Sequence, residues 1–323
     1  MSCIAKPTRF AIQIPLTNSG KTGKMATVPA MANQNSLHTL TTRLKDYYTL
    51  TKPEVNLLIL MTTSAGYYLA SRRPFHIAGL LNTLLGTLLV ASGTATLNQW
   101  MERKWDGQMR RTSSRPIPAG RVSSTEAFWF GALLSIVGGV YLAIAVNLLS
   151  ALLAVSTLLS YLLIYTPLKR RTALCTLLGA FPGAMPTLIG WAGASATINA
   201  QAWFLFAILF LWQFPHFLAI ALMYREDYDR AGYRMLPRFD LDSRFTRGEI
   251  FVFTVLLIAI TLWPIAGQTS LLYFAAMSIS GIFFLFYVLK LVRSGSRVLA
   301  VRVVHASVMY LPVVLGTLMF WKR

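Results

Sequence analysis

Three stretches of this chain carry side chains suited to chemistry on a diphosphate. The first holds Asn98, Glu102 and Asp106, spaced four apart, followed by Arg110, Arg111 and Arg115. On a helix each step of four climbs about 6 Å and overshoots a full turn by about 40°. The three oxygen-bearing side chains therefore share one face. Hard oxygen donors suit Mg²⁺, which keeps several waters and is shared between carboxylates and substrate phosphates. Spacing alone is equally satisfied by a solvated helix end, with Glu102 and Asp106 pairing Arg103, Arg110 or Arg111 for little energy. The adjoining arginines favour the metal reading, because guanidinium forks match phosphate oxygens bidentately.

The second stretch runs from Tyr161 through Tyr165 and Pro167 to Lys169, Arg170 and Arg171. It supplies further cations for the same diphosphate, although a basic cluster at a helix end is also what membrane topology demands. Tyr161 and Tyr165, four apart, are expected to turn their rings to one side, as cavity residues or as ordinary interfacial tyrosines. The third stretch is Pro215-His216-Phe217, leading through Tyr224, Glu226, Asp227, Asp229 and Arg230 to Met235-Leu236-Pro237. A histidine within an apolar segment is costly unless it faces a polar cavity or has a partner. His216 is thus a structural group, a proton-transfer group or an axial ligand for haem iron. His305 reads as structural, and His38 and His76 as interfacial.

The elements that must position these groups are membrane helices. The 323 residues are 55% hydrophobic and 13% charged, a membrane composition, and the mean hydropathy is +0.55. A helix of roughly 20 residues crosses the hydrocarbon. Spans are expected near 55–70, 78–99, 126–146, 148–166, 173–193, 201–223, 250–266, 269–289 and 303–321. The fold class is therefore all-α, a polytopic bundle of about nine transmembrane helices. All eleven acidic residues then fall on one side. Of 30 Lys and Arg, 26 share that side, leaving Arg72, Arg73, Lys322 and Arg323 opposite. Basic loops resist translocation, so the N-terminus is assigned to the cytoplasm.

Residues 1–35 read as a mobile tail and 36–323 as the membrane domain, entered through an amphipathic interfacial helix over 36–52 with Leu37, Leu40, Leu44 and Tyr47 on its apolar face. The tail has no uninterrupted apolar core, so no cleavable secretory signal is expected. It matches a mitochondrial transit peptide only mildly. A bacterial inner (plasma) membrane is favoured, with the mitochondrial inner membrane as the alternative. The net charge of +19 reflects the positive-inside bias and anionic lipid headgroups, and no nucleic-acid partner is expected. Cys3 and Cys175 define neither a disulfide framework nor a zinc site. Spans two and six each end in polar side chains and a long loop, an echo that would face the two loops across one cavity.

These motifs together resemble the haem O synthase (protohaem IX farnesyltransferase) family, a branch of the UbiA-type membrane prenyltransferases. The resemblance rests on Asp46-Tyr47 and Leu50-Thr51-Lys52-Pro53; Asn98 to Asp106; Met109, Arg111-Thr112 and Arg115-Pro116; Tyr165-Thr166-Pro167-Leu168-Lys169-Arg170; and Pro215-His216-Phe217 with Asp227-Tyr228 and Met235-Leu236-Pro237. It covers about residues 40–320. It implies a central cavity open to the cytoplasm and farnesyl transfer from farnesyl diphosphate to a vinyl group of haem B, with addition of water. Mg²⁺ and diphosphate would be held by Asn98, Glu102, Asp106 and Asp227. Arg110, Arg111, Arg115, Lys169 and Arg170 would neutralise the diphosphate, with Tyr165 beside it and His216 orienting or ligating haem. The resemblance also implies haem A synthase or terminal-oxidase assembly partners. Two departures stand out: many relatives carry a second aspartate four residues after the equivalent of Asp227, where this chain has Ala231, and many have Asp in place of Glu102. A second metal would then rest on Asp227 with Glu226 or Asp229. Relatives that prenylate a quinone precursor or chlorophyllide, a transporter, and a non-catalytic haem-binding assembly factor are the competing readings.

Overall fold

The computed structural model describes residues 30–263 and 270–322, with side chains from residue 40 onward. The chain falls into two compact units, Met1–Thr41 and Thr42–Arg323. The tail expected over residues 1–35 lies outside the described residues as far as residue 29.

The described elements are all helical. In chain order they are α1 (Ala30–Leu50), α2 (Pro53–Ala70), α3 (Ile77–Asp106), α4 (Ser124–Ala145) and α5 (Leu148–Leu159). A π-helical turn, Ser160–Tyr165, leads into α6 (Thr166–Leu168), then α7 (Cys175–Ser195), α8 (Ala200–Met223), α9 (Arg225–Arg230) and α10 (Leu236–Phe239). The chain closes with α11 (Arg244–Leu262), α12 (Leu271–Ser294) and α13 (Arg297–Phe320). Eight helices among the described residues are long and apolar enough to cross a membrane, counting Leu148–Leu168 as one. The ninth expected span is α2, of 18 residues, whose Asn56, Thr62 and Thr63 are buried among its neighbours. Those inward-turned polar side chains lower its hydropathy below that of the other eight.

Packing relies on small residues, as membrane helices must when lipid is as apolar as leucine. A Cβ on Gly66 of α2 would overlap the Thr187 carbonyl of α7, and one on Gly190 would overlap that of Thr63. Between α3 and α4, a Cβ on Gly93 would lie 2.6 Å from the Gly131 carbonyl oxygen. The opposite face of α4 exposes Leu133, Ile136, Val140 and Ile144, as a lipid-facing surface should. In α1 the order is similar, with Leu44 exposed and Asp46 and Leu50 buried.

Two helices run beyond their expected apolar spans. α3 continues past residue 99 to Asp106, as the helical spacing of Asn98, Glu102 and Asp106 requires, its last two turns held by ion pairs rather than by apolar burial. α11 starts at Arg244 and not near 250, its entry fixed by the Thr246 amide donating to Asp240 Oδ2 at 2.7 Å.

Candidate active site

The lower end of α3 brings Asn98, Glu102 and Asp106 to one buried stripe, with exposures of 0%, 5% and 0%. Each acid meets its own cation. Glu102 Oε1 accepts from Lys169 Nζ at 2.9 Å, and Asp106 Oδ2 accepts from Arg115 Nη1 at 2.6 Å. Two charges removed from water this far are costly unless paired, and here the partners come from distant segments. Lys169 follows α6, and Arg115 sits in the loop after α3.

Lys169 is aimed by the π turn. Pro167 lacks an amide hydrogen, so the regular ladder fails there, and Thr166 bonds back to Tyr161 through both its amide and its hydroxyl (2.9 Å). Such inserted turns concentrate at functional sites. The turn places the Tyr161 and Tyr165 rings edge-to-face, 4.9 Å apart. Lys169 Nζ lies 4.4 Å from the Tyr165 ring centre and 6.0 Å from that of Tyr161, a cation–π arrangement. Tyr165 in turn fits over Gly179, where a Cβ would come within 2.5 Å of its ring. Burial pulls the Lys169 ammonium down, but Glu102 and the tyrosines outweigh it and hold the group well above the usual lysine range.

Asn98 has a fixed orientation. Thr166 Oγ1 gives its proton to the Tyr161 carbonyl, so it accepts from Asn98 Nδ2 at 3.1 Å. The amide oxygen of Asn98 therefore points the other way, where it accepts from Lys52 Nζ at 3.1 Å. Lys52 lies in the Leu50-Thr51-Lys52-Pro53 run, yet sequence reasoning assigns it no role in the site, because charge counting treats it as one more N-terminal cation. Its signal is local: it directly precedes Pro53. Its backbone is left-handed, with φ 52° and ψ 64°, a conformation costing a non-glycine residue about 1–2 kcal/mol. Burial, then the nearby charges of Arg115 and Lys169, lower its ammonium to about 7, against the opposing pull of Glu102 and Asp106. Three cations thus surround two carboxylates. Tyr233, also unforeseen, is buried beside Glu102, and that burial pushes its hydroxyl well up.

Asp227 is brought to the same region but faces the loop after α3. Its Oδ1 and Oδ2 accept from the Arg110 and Arg111 amides, each at 3.3 Å, and Arg230 Nη1 lies 3.3 Å from Oδ1. The two acid-bearing loops are clasped together there, and the Arg234 amide ties the second to the Lys169 carbonyl at 2.9 Å. Arg110, Arg111 and Arg170 are exposed. Arg111 lies over the rings of Tyr224 and Tyr228, and Arg170 over Trp105. Glu226 and Asp229 form no hydrogen bond or ion pair with Asn98, Glu102 or Asp106 among the described residues, and Asp229 pairs with Arg225 at 3.9 Å. Asp46, from the motif before α2, pairs with Arg121 at 2.9 Å.

His216 stands apart from this group. It stacks on Trp212 at 4.6 Å, and its Nδ1 lies 2.7 Å from Ser307 Oγ. That hydroxyl already donates to the Val304 carbonyl at 2.7 Å, so it accepts from Nδ1–H and leaves Nε2 as a bare lone pair.

The residues fit a magnesium ion in one respect and limit it in another. Asp106 Oδ1 is buried without a hydrogen-bond partner, an acceptor oxygen left open in an all-oxygen donor set. Among the described residues no three Asp, Glu, His or Cys side chains gather around one point. The protein offers a few oxygens and leaves the rest of the shell to water and phosphate, which is the usual magnesium arrangement.

Residues 59–318 match the model of the UbiA prenyltransferase family. The chain belongs to the UbiA prenyltransferase family. It is 46% identical over 286 residues to a protein named protoheme IX farnesyltransferase from Solibacter usitatus, covering 85% of this chain and 98% of that protein. Its fold is similar to a structure described as digeranylgeranylglyceryl phosphate synthase (TM-score 0.71, 19% identity, 87% of this chain and 99% of that one). It is also similar to a UbiA homolog from Archaeoglobus fulgidus bound to GPP and Mg²⁺ (TM-score 0.62, 14% identity, 84% and 99%). The chain is a prenyltransferase of the membrane, and the expected all-α bundle is its fold.

Proposed function

We propose that this prenyltransferase transfers farnesyl from farnesyl diphosphate to a vinyl group of haem B, consuming water and yielding haem O and diphosphate. The observation that carries the chemistry is the buried pairing of Glu102 with Lys169 and Asp106 with Arg115, beside Lys52 and an unpartnered carboxylate oxygen. The acceptor and the farnesyl donor are supported by the likeness to protoheme IX farnesyltransferase over nearly the whole of that relative.

Asn98, Glu102 and Asp106 would hold Mg²⁺ together with the diphosphate, with Asp227 the candidate for a second contact. When bound, the ion supplies Lewis-acid stabilisation of the charge that builds on the leaving group. Lys169 and Arg115 release their carboxylates, Lys52 releases the Asn98 amide oxygen, and all three turn to phosphate oxygens, stabilising the departing diphosphate as its C1–O bond breaks. The electron pair of that bond leaves with the diphosphate. The vinyl terminal carbon then bonds to C1, the new cation beside the macrocycle takes the oxygen of a water, and that water loses a proton. Tyr161, Tyr165 and Tyr233 shield these charges from bulk water and strengthen them. His216, with its free Nε2, is the side chain best prepared to ligate haem iron, its other nitrogen oriented by Ser307 as metal-ligating histidines require.

We place this reaction at the cytoplasmic face of a bacterial inner membrane, on the strength of the Lys and Arg distribution. Residues 36–323 are the catalytic domain and 1–35 a tail, and haem A synthase or terminal-oxidase assembly proteins are the partners. Haem extracted from cells expressing the chain should show the mass of haem O, and Asp106→Ala should abolish it. Unchanged haem O in that variant, or loss of no activity on chelation of divalent metal, would overturn the reading.

A further inference from the structure

Of the five cations expected to serve the diphosphate, Arg110 holds Asp227 through its backbone amide; the other four separate into two kinds, and the difference points to a second ligand. Lys169 and Arg115 are sunk in the site and bonded to Glu102 and Asp106. Arg111 and Arg170 are exposed at the mouth and form no ion pair among the described residues. Both are instead laid on aromatic rings. The Arg111 guanidinium carbon is 4.8 Å from the Tyr224 ring centre, and its Nη2 donates to the Tyr228 hydroxyl at 3.3 Å. That of Arg170 is 4.2 Å from the Trp105 ring centre. A stacked guanidinium is held in orientation while its edge N–H donors stay free for a carboxylate.

Trp105 and Tyr228 pack on one small apolar cluster around Met109, Ala231 and Tyr233. The mouth therefore combines an apolar, aromatic platform with two guanidiniums that have no carboxylate partner among the described residues. Haem B is a flat apolar macrocycle with two propionates on one edge and both vinyl groups on the opposite half. We propose that Arg111 and Arg170 bind the propionates of the acceptor and so turn its vinyl edge inward, toward the Glu102–Asp106 stripe. On α3, Trp105 lies about 10 Å of helix rise from Asn98, so an acceptor anchored at the rim still reaches the buried end. The inference rests on haem B being the acceptor and assigns two positioning residues to it in place of the diphosphate.

The test is a steady-state comparison on the full chain in nanodiscs with Mg²⁺, using farnesyl diphosphate with haem B or its dimethyl ester. Arg111→Gln and Arg170→Gln should each raise the KM for haem B about tenfold, the loss of one charge-assisted contact, while the KM for farnesyl diphosphate stays within about twofold. The wild type should strongly prefer haem B to the ester, and the double variant should lose that preference. A rise in the KM for farnesyl diphosphate would return these arginines to the diphosphate. Equal losses with haem B and its ester would assign them to lipid headgroups or to folding. Either result overturns the inference while wild-type turnover stands. A wild type that prenylates no haem removes the functional reading itself, and the inference with it.

Discussion

The two ends of the bundle satisfy their buried polar groups by different means. At the end opposite the acids, neutral side chains do the work. Asn147 caps α5 through the Ser150 amide and donates to the Ala192 carbonyl, both at 2.8 Å. Asn199 caps α8 through the Ala202 amide, and the Tyr67 hydroxyl donates to the His76 carbonyl. Among the described residues, Lys322 is the one cation there with such a role, donating to the carbonyls of Tyr68 and Ser71 where α2 ends. At the acid-bearing end, ion pairs made by buried carboxylates do the equivalent work. Neutral caps stabilise helix ends at little risk, whereas buried charges are poor sources of stability. Buried carboxylate–cation pairing, found among the described residues at one end, marks a requirement of chemistry.

The strongest way to break this contrast is Asp106→Asn, which keeps the shape and removes the charge. Product formation should fall by about two to three orders of magnitude, the effect of losing one preorganised electrostatic group. Single-turnover haem prenylation measures it, and near-normal turnover would erase the distinction between the ends. Lys52→Gly comes next and separates function from stability. Relief of the left-handed backbone should stabilise the fold by about 1 kcal/mol, read as a higher Tm in detergent. Loss of the ammonium should weaken inorganic diphosphate binding by about tenfold or more. A variant that loses both stability and affinity would make Lys52 a structural residue.

Asn147→Ala sharpens the contrast from the other side. It should cost about 1 kcal/mol, the usual loss on removing a helix cap, and leave both KM values unchanged. A shift in either KM would show that the far end feeds into the site. The smallest effect is expected for Arg121→Gln, which removes the half-exposed guanidinium that pairs with the buried Asp46 and leaves an amide able to donate to it. Thermal unfolding should register less than about 1 kcal/mol.

The spans were legible because hydropathy is a local property, and the Asn98–Glu102–Asp106 stripe because helical period is one too. The pairing scheme was not. Lys169 is 67 residues from Glu102 and Lys52 is 46 from Asn98, so nothing near either cation names its partner. The resemblance assigned one role to all five basic residues, and the structure gives them distinct surroundings: Arg115 and Lys169 inside, Arg111 and Arg170 on aromatic rings, and Arg110 holding Asp227 through its backbone alone. Asp227 reads from sequence as a metal ligand, yet both its oxygens are engaged by the loop after α3. Relocating it to a metal would require opening that clasp. His216 was legible as a polar group needing a partner, but Ser307, 91 residues away, was not.

The π turn before Pro167 has a consequence for how this protein can vary. One surplus residue in that turn rotates everything after it by about 100° relative to an uninterrupted helix. The reach of Lys169 to its carboxylate is consequently set by a tally of residues, independent of their side chains. Most substitutions within Leu162–Ile164 would leave the ammonium on target, whereas deleting any one of them would swing it away from the pocket. Length, at this point in the chain, is held more tightly than identity.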